Sequence, residues 1–196
     1  MIIPTAVTKY DRCTLELLEF AIFCVCVAGK NSDQTAKKVD ALWNDADFFA
    51  GLWGQVLLRP SNDACHELYV DFIKQKLQKH KVGQYQRLSR VIFWLNQQRF
   101  NLNHVRFNEL VDIKGIGPKT AAFFILHTRR DAVVPVIDTH ICKYMAEKDF
   151  DMRVTSSLPK YLENARLVVS AIKHDFPHMT LAEADLTIWK KYSGRS

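Results

Sequence analysis

The sequence predicts an all-α protein, and three observations carry that prediction. Apolar residues recur at helical spacing in almost every segment, strand-like alternation is nearly absent, and Gly, Pro and capping residues fall where those periodic runs begin and end. Taken in order, Asp11 precedes an almost wholly apolar run from Cys13 to Ala28, the pattern of a central helix buried on most sides, and Gly29 ends it. Ser32 to Trp43 groups Ala36, Val39, Ala41 and Leu42 away from Lys37 and Lys38. Pro60 is expected to open a helix reaching about His80, with Leu68, Phe72, Ile73 and Leu77 as its apolar face. Gly83 breaks that pattern, and Tyr85, Leu88, Ile92 and Leu95 build the next stripe. Helices at Phe107 to Asp112 and Pro118 to Thr128 flank a short Gly-x-Gly turn. Further helices are expected from about Asp138 to Lys148, Leu158 to Lys173 and Thr180 to Tyr192, the last opened by a Thr180/Glu183 capping box.

Length and composition bound the function. A chain of 196 residues, 48% hydrophobic and 24% charged, can bury a core as one domain or two small ones. The net charge of +6 fits a polyanionic partner. Five cysteines with no Cys-x-x-Cys read as reduced thiols of an intracellular protein. The N-terminus lacks the order of a signal peptide, and the longest apolar run, Phe20 to Gly29, is half of the ~20 residues a membrane span needs. No membrane partner is expected. From Phe72 to Arg99 there is no acidic residue, while Lys74, Lys76, Lys79, Lys81, Arg87, Arg90 and Arg99 are basic, with Tyr85 and Trp94 interleaved. Such a run is either a solvated helical face or a phosphate-binding surface.

The informative stretch is Leu110 to Tyr144, LVDIKGIGPKTAAFFILHTRRDAVVPVIDTHICKY. Ile113 to Gly117 joins two helices with glycines at alternate positions, where positive φ and close backbone approach are available. Gly117 is expected to need both, so that a valine there would resist the turn and block a phosphate. Pro118 suits the first turn of the following helix, and the free amides of that turn and of the hairpin make an anion site able to hold a DNA phosphate. Asp138, just before the next helix, is placed to cap it.

Gly115-Ile116-Gly117-Pro118-Lys119, followed nineteen residues after Lys119 by Asp138 within Val136-Ile137-Asp138-Thr139-His140-Ile141, resembles the helix-hairpin-helix DNA glycosylase superfamily, which includes endonuclease III and the 8-oxoguanine glycosylases. More loosely, Leu17 to Thr35 is similar to the family's first barrel helix and the loop after it, and Leu186 to Gly194 to its closing helix. The resemblance implies two helical lobes with a DNA cleft between them. A barrel lobe over 16–134 would contain the helix-hairpin-helix at about 106–129, and 1–15 plus 135–196 would form the second lobe. Lys119 matches the lysine nucleophile of the members that combine base removal with strand nicking. A positive field at the helix N-terminus would favour its neutral, nucleophilic form. Asp138 matches the aspartate that stabilises the sugar cation as the base departs, and accepting amide bonds as a cap would help keep it ionised.

The same resemblance implies DNA contacts at Lys114, Gly115, Gly117 and His140, the last equally readable as a buried, hydrogen-bonded histidine. Main-chain carbonyls of Val111, Ile113 and Ile116 would hold a monovalent cation. Tyr85 falls near the wedge position that fills the gap of a flipped base, against the plainer reading of a core aromatic. Lys30 and Asn31 fall where relatives place a polar plug, and Phe123 and Trp189 are candidates for the base pocket. No cysteine follows Cys142, so an iron–sulfur cluster of the endonuclease III kind is not expected. There is no room for an extra N-terminal sheet domain, and Phe123 replaces the small thiol of the larger 8-oxoguanine enzymes. The short chain is most similar to compact archaeal-type 8-oxoguanine glycosylases. The expectation is a monomeric enzyme acting on damaged double-stranded DNA, intracellular and wherever that DNA lies, with an oxidised purine as first substrate. Oxidised pyrimidines or a mispaired base are alternatives within the family. A non-catalytic DNA clamp is the alternative of another class, but it would not need Asp138; a protein-binding helical adaptor would explain neither the hairpin nor the basic run.

Overall fold

A computed structural model describes residues 2–57, 63–97 and 102–194. Among them the regular structure is helical throughout: a 3-10 turn at Pro4–Ala6, then α1 Thr14–Val27, α2 Ser32–Trp43, α3 Ala46–Leu57, α4 Asp63–Lys79, α5 Tyr85–Gln97, α6 Phe107–Val111, α7 Pro118–Thr128, α8 Thr139–Ala146, α9 Leu158–Asp175 and α10 Leu181–Ser193. No helix of the described residues is long and apolar enough to cross a membrane.

The chain divides into two compact units. The first comprises Met1–Ala6, Arg12–Val105 and Asp112–Ile116, the second Val7–Asp11, Arg106–Val111 and Gly117–Ser196. The expected boundary at 134 therefore differs from the observed grouping, which gives α6 and α7 to the second unit. The reason is packing: Ala122 and Leu126 of α7 share a buried cluster with Val136, Ile137, Ile141, Tyr161, Val168 and Ile188.

In the first unit the largest fully buried side chains are Phe20, Ile22 and Phe23 of α1, Leu42 of α2, Phe48 and Leu52 of α3, Ile73 and Leu77 of α4, and Leu88 and Ile92 of α5. Each contributes about 1.5–3 kcal/mol by leaving water. Helix α1 is buried through Phe20 to Cys26, as its composition predicts, and Gly29 follows it at φ +72°. Three expectations change. Helix α3 has no counterpart in the sequence prediction. Its start is fixed by Asp45, whose carboxylate accepts the Phe48 amide at 3.1 Å. Leu68 is 71% exposed, because the buried face of α4 runs through Tyr69, Val70, Ile73 and Leu77 instead. Ala41 faces solvent rather than the core of α2. The expected helix start at Pro60, and Arg99 in the basic run, lie outside the described residues.

The basic run also reads differently in three dimensions. Asp45, its side chain only 3% exposed, accepts Lys76 at 3.0 Å, Lys79 at 2.7 Å and His80 at 2.9 Å, and Lys76 also reaches Asp47 at 2.7 Å. The Lys79 hydrogen bond, with those of His80 and Lys76, holds the Asp45 carboxyl far below the usual carboxylate range against its burial. Arg87 is likewise engaged, donating to the Gly115 carbonyl at 2.7 Å and the Val25 carbonyl at 3.0 Å. Three of the seven, Lys76, Lys79 and Arg87, are thus engaged by groups of the protein itself. Lys74, Lys81 and Arg90 have no ion pair among the described residues.

Candidate active site

The hairpin's geometry follows from its two glycines, which do different jobs. Gly115 takes φ +107°, and a Cβ there would come 2.7 Å from Val91 Cγ2 and 3.3 Å from Arg87 Cγ. Only glycine fits that squeeze. Gly117, expected to need positive φ, instead lies at φ −88°, ψ 167°, an extended N-cap with open space where a side chain would project. What it leaves free is the approach to the first turn of α7. Ile116 N–H donates to the Ile113 carbonyl at 2.9 Å, closing the turn, and Lys114 is exposed.

Lys119 stands in the first turn of α7, half-buried, on a helix whose N-terminus has no side-chain cap and carries Pro118. Lys119, Phe123 and His127 follow at four-residue spacing and share one stripe of the helix. Phe123 is half-buried, its ring edge-on to His127 at 4.8 Å. Asp138 is the N-cap of α8: its Oδ1 accepts the amides of His140 at 2.8 Å and Ile141 at 2.9 Å. The cap uses that one oxygen. The extended segment before it is clamped by Tyr161, whose hydroxyl donates to the Pro135 carbonyl at 2.7 Å and accepts from Ile137 N–H at 3.2 Å. Tyr161 is fully buried, and burial pushes its phenol well above its ordinary value.

Lys119 and Asp138 act on common neighbours. Cys142, one turn into α8, has its thiol pushed up by burial and by Asp138, and drawn down by Lys119. On α10, Asp185 is pushed up by burial and by Asp138, and drawn down by His127 and Lys119. His127 is fully buried. Thr8 Oγ1 lies 2.8 Å from its Nδ1, and Asp185 Oδ2 lies 3.4 Å from its Nε2. The second unit thus contains an amine and a capped carboxylate that both bear electrostatically on Cys142 and Asp185, and a buried His–Asp pair.

His140 is half-buried; its Nδ1 is enclosed without a hydrogen-bond partner, and its ring meets Trp189 edge-on at 6.4 Å. Trp189 and Asp185 sit four apart on α10, so the expected pocket aromatics Phe123 and Trp189 each neighbour a histidine of this site. In the first unit, Tyr85 is the half-buried first residue of α5. Lys30 Nζ donates to the Val82 carbonyl at 2.6 Å, and desolvation lowers its pKa from the ordinary lysine value. Asn31 caps α2 by accepting the Gln34 amide at 3.0 Å. Lys30 therefore ties its loop to the segment between α4 and α5, while Asn31 holds the start of α2. Among the described residues no cluster of three or more His, Cys, Asp or Glu could hold a metal ion.

Thr8, His127, Tyr161 and Asp185 were not evident as site residues from sequence. The available signal was polarity inside an apolar stripe: Asp185 between Ala184 and Ile188, and Tyr161 at the head of Ala165, Val168 and Ile172. A buried tyrosine or carboxylate needs a partner, but the pattern does not name it.

The sequence matches no family model. Two solved structures of the Methanocaldococcus jannaschii 8-oxoguanine glycosylase are similar over nearly the whole chain. One, a glycosylase/lyase in complex with a 15mer DNA containing 8-oxoguanine, is 21% identical at a TM-score of 0.64, covering 94% of this chain and 84% of that one. The other, the 8-oxoguanine DNA glycosylase, is 21% identical at a TM-score of 0.65, covering 96% and 84%. The chain has the all-helical fold of that glycosylase, the fold that its hairpin and aspartate motif imply.

Proposed function

We propose that this chain is a base-excision DNA glycosylase with an attached AP lyase activity, acting on duplex DNA that carries an oxidised purine such as 8-oxoguanine. The observation that carries the reading is the amine of Lys119 in an uncapped first turn, sharing the neighbours Cys142 and Asp185 with the capped carboxylate of Asp138. A passive DNA clamp has no use for that second group. The choice of lesion rests on the likeness in fold to the Methanocaldococcus jannaschii enzyme.

In this mechanism the unprotonated Nζ of Lys119 attacks C1′ of the damaged nucleotide. The C1′–base bond breaks, its electron pair leaves with the base, and the base takes up a proton. Asp138 offers negative charge to the sugar cation that develops as that bond lengthens. The bound amine gives up one proton, the C1′–O4′ bond breaks as O4′ takes up a proton, and the protonated imine that forms acidifies the C2′ hydrogen. Loss of that proton breaks the C3′–O bond and nicks the strand 3′ to the lesion. Hairpin amides around Gly117, with Lys114 and His140, hold backbone phosphates. A monovalent cation on the carbonyls of Val111, Ile113 and Ile116 would add positive charge beside a phosphate. The Ile113 carbonyl fits that role, since the Ile116 amide occupies one of its two lone pairs. Phe123 and Trp189 line the base pocket, and Tyr85 is the wedge. A plug formed by Lys30 or Asn31 would first give up the bond to Val82 or to Gln34. Such an enzyme works as a monomer inside the cell, where its DNA is.

The deciding experiment incubates the enzyme with duplexes bearing single defined lesions under borohydride. The expected result is a covalent complex with the 8-oxoguanine duplex that disappears in Lys119→Gln. Trapping that persists in the variant would assign the nucleophile elsewhere. Tight binding without excision of any lesion would make the protein a clamp.

A further inference from the structure

Arg87 uses all three of its guanidinium nitrogens inside the protein, and each goes to a different segment. Nε donates to Gln84 Oε1 at 2.8 Å in the turn before α5, Nη1 to the Gly115 carbonyl at 2.7 Å in the hairpin, and Nη2 to the Val25 carbonyl at 3.0 Å in the last turn of α1. A second tie runs beside these: Lys30, in the loop after α1, donates to the Val82 carbonyl of the same turn at 2.6 Å. All of these residues belong to the first unit. We propose that Arg87 is a positioning residue that locks the hairpin, the turn carrying Tyr85 and the end of α1 into one preset surface, so that phosphate anchoring and base extrusion occur in register. The inference rests on the glycosylase reading and on Tyr85 being the wedge.

None of the three segments holds its shape unaided. In the turn, Lys81 and Gln84 take φ +51° and +52°, and Gly83 takes φ +80°. Residues other than glycine are strained at positive φ and persist there when their surroundings fix them. The bonds from Lys30 to Val82 and from Arg87 to Gln84 do that fixing, and Tyr85 follows directly. At the end of α1, Val25 carries one of the last four carbonyls, which lack amide partners within a helix, and a cationic donor there also suits the helix dipole. In the hairpin, a Cβ on Gly115 would meet Val91 Cγ2 and Arg87 Cγ, so the glycine closes directly on α5. A phosphate contact needs only a positive charge. This three-way fan needs the planar fork of a guanidinium, because a lysine offers a single nitrogen.

Arg87→Lys therefore keeps the charge and loses the fan. Single-turnover excision from an 8-oxoguanine duplex, where a stacked base must leave the helix, is compared with nicking of the same duplex carrying a preformed abasic site, where none has to. The variant is expected to lose about tenfold or more on the 8-oxoguanine duplex, and to nick the abasic duplex within about twofold of the wild type. Arg87→Met should behave like Arg87→Lys. Activity restored by Lys but not by Met would make Arg87 a phosphate contact, and an equal loss on both duplexes would make it a general packing element. Either result overturns the proposal, as does wild-type excision by Arg87→Lys. Should both variants melt far below the wild type, Gln84→Ala cuts one tie at an exposed position, and the same selective loss, smaller in size, is expected. A wild-type ratio of the two rates in Gln84→Ala would then refute the preset surface. If the wild type acts on neither duplex, the glycosylase reading fails and a gel-shift assay decides for Arg87: Arg87→Lys must bind duplex DNA more weakly through its displaced hairpin, and equal binding overturns the proposal.

Discussion

Asp138 caps α8 and, in the proposed mechanism, also stabilises the sugar cation, and substitution can separate the two roles. Its Oδ1 accepts two amides, at 2.8 and 2.9 Å, and an asparagine Oδ1 can accept the same two bonds. Asp138→Asn is therefore expected to lose less than about 1 kcal/mol of stability, whereas Asp138→Ala loses the cap and about 1–2 kcal/mol. For a chain of 196 residues that is a difference of a few degrees in Tm, about 2–4 °C per kcal/mol. The chemical loss is far larger. Removing one preorganised electrostatic group lowers the rate by about a hundredfold or more, near 2.7 kcal/mol. Single-turnover excision and thermal melting, run side by side, separate the roles: Asn should melt like the wild type and excise like Ala. Cys142 provides an independent check, because Asp138 adds to the upward push on its thiol. The Asn variant should alkylate faster at Cys142 in mildly alkaline solution. Excision by Asp138→Asn at wild-type speed would leave Asp138 a cap and nothing more.

The other predictions use the hairpin and the buried charges. Gly115→Ala must place a Cβ 2.7 Å from Val91 at φ +107°, so it should cost about 1–3 kcal/mol in melting and weaken DNA binding with it. Gly117→Ala, with φ −88° and open space, should melt normally yet weaken binding in a gel-shift assay; equal Tm losses at the two glycines would contradict the assigned division of labour. Asp45→Asn should cost about 2 kcal/mol, since a carboxylate 3% exposed loses charge-assisted bonds to Lys79, His80 and Lys76. The Asp45 pKa is depressed on folding, so its contribution is present above the unfolded value near 3.9 and is lost as pH falls below about 4; acid melts of the variant should lack that component. Neutralising Lys74, Lys81 and Arg90 together should flatten the salt dependence of DNA binding by a slope of about 2–3, and an unchanged slope would return them to solvent.

How far the sequence could be read depended on whether each signal was local. The helix ends were legible because a cap and its partner lie within a turn, as at Asn31 with Gln34 and at Thr180 with Glu183. Helix α3 was obscured by Gly51, whose reason for being glycine is not in α3 at all. A Cβ there would come 2.5 Å from the ring of Phe72 in α4. The acid-free run looked like a DNA surface because the carboxylate that neutralises much of it, Asp45, lies 31 to 35 residues from its partners. Lys119 and Asp138 were singled out by the resemblance that Gly115–Lys119 and Val136–Ile141 carry, and both motifs are local, each lying at a helix start. Thr8 and His127 meet across 119 residues, and Tyr161 reaches Ile137 across 24; no periodicity records such pairings.

The contact between Thr8 and His127 bears on the order in which the protein can be made. Val7–Asp11 belongs with Gly117–Ser196, and the Lys9 amide also donates to the His127 carbonyl at 3.1 Å. During synthesis these early residues emerge first and then wait more than a hundred residues for their partners. Most of the other unit, Arg12–Val105, is continuous and can fold while translation proceeds. The unit carrying the lysine and the aspartate closes only after α10 has left the ribosome, since Asp185 completes the far side of His127. A nascent chain would therefore leave this unit unfinished until α10 is in place.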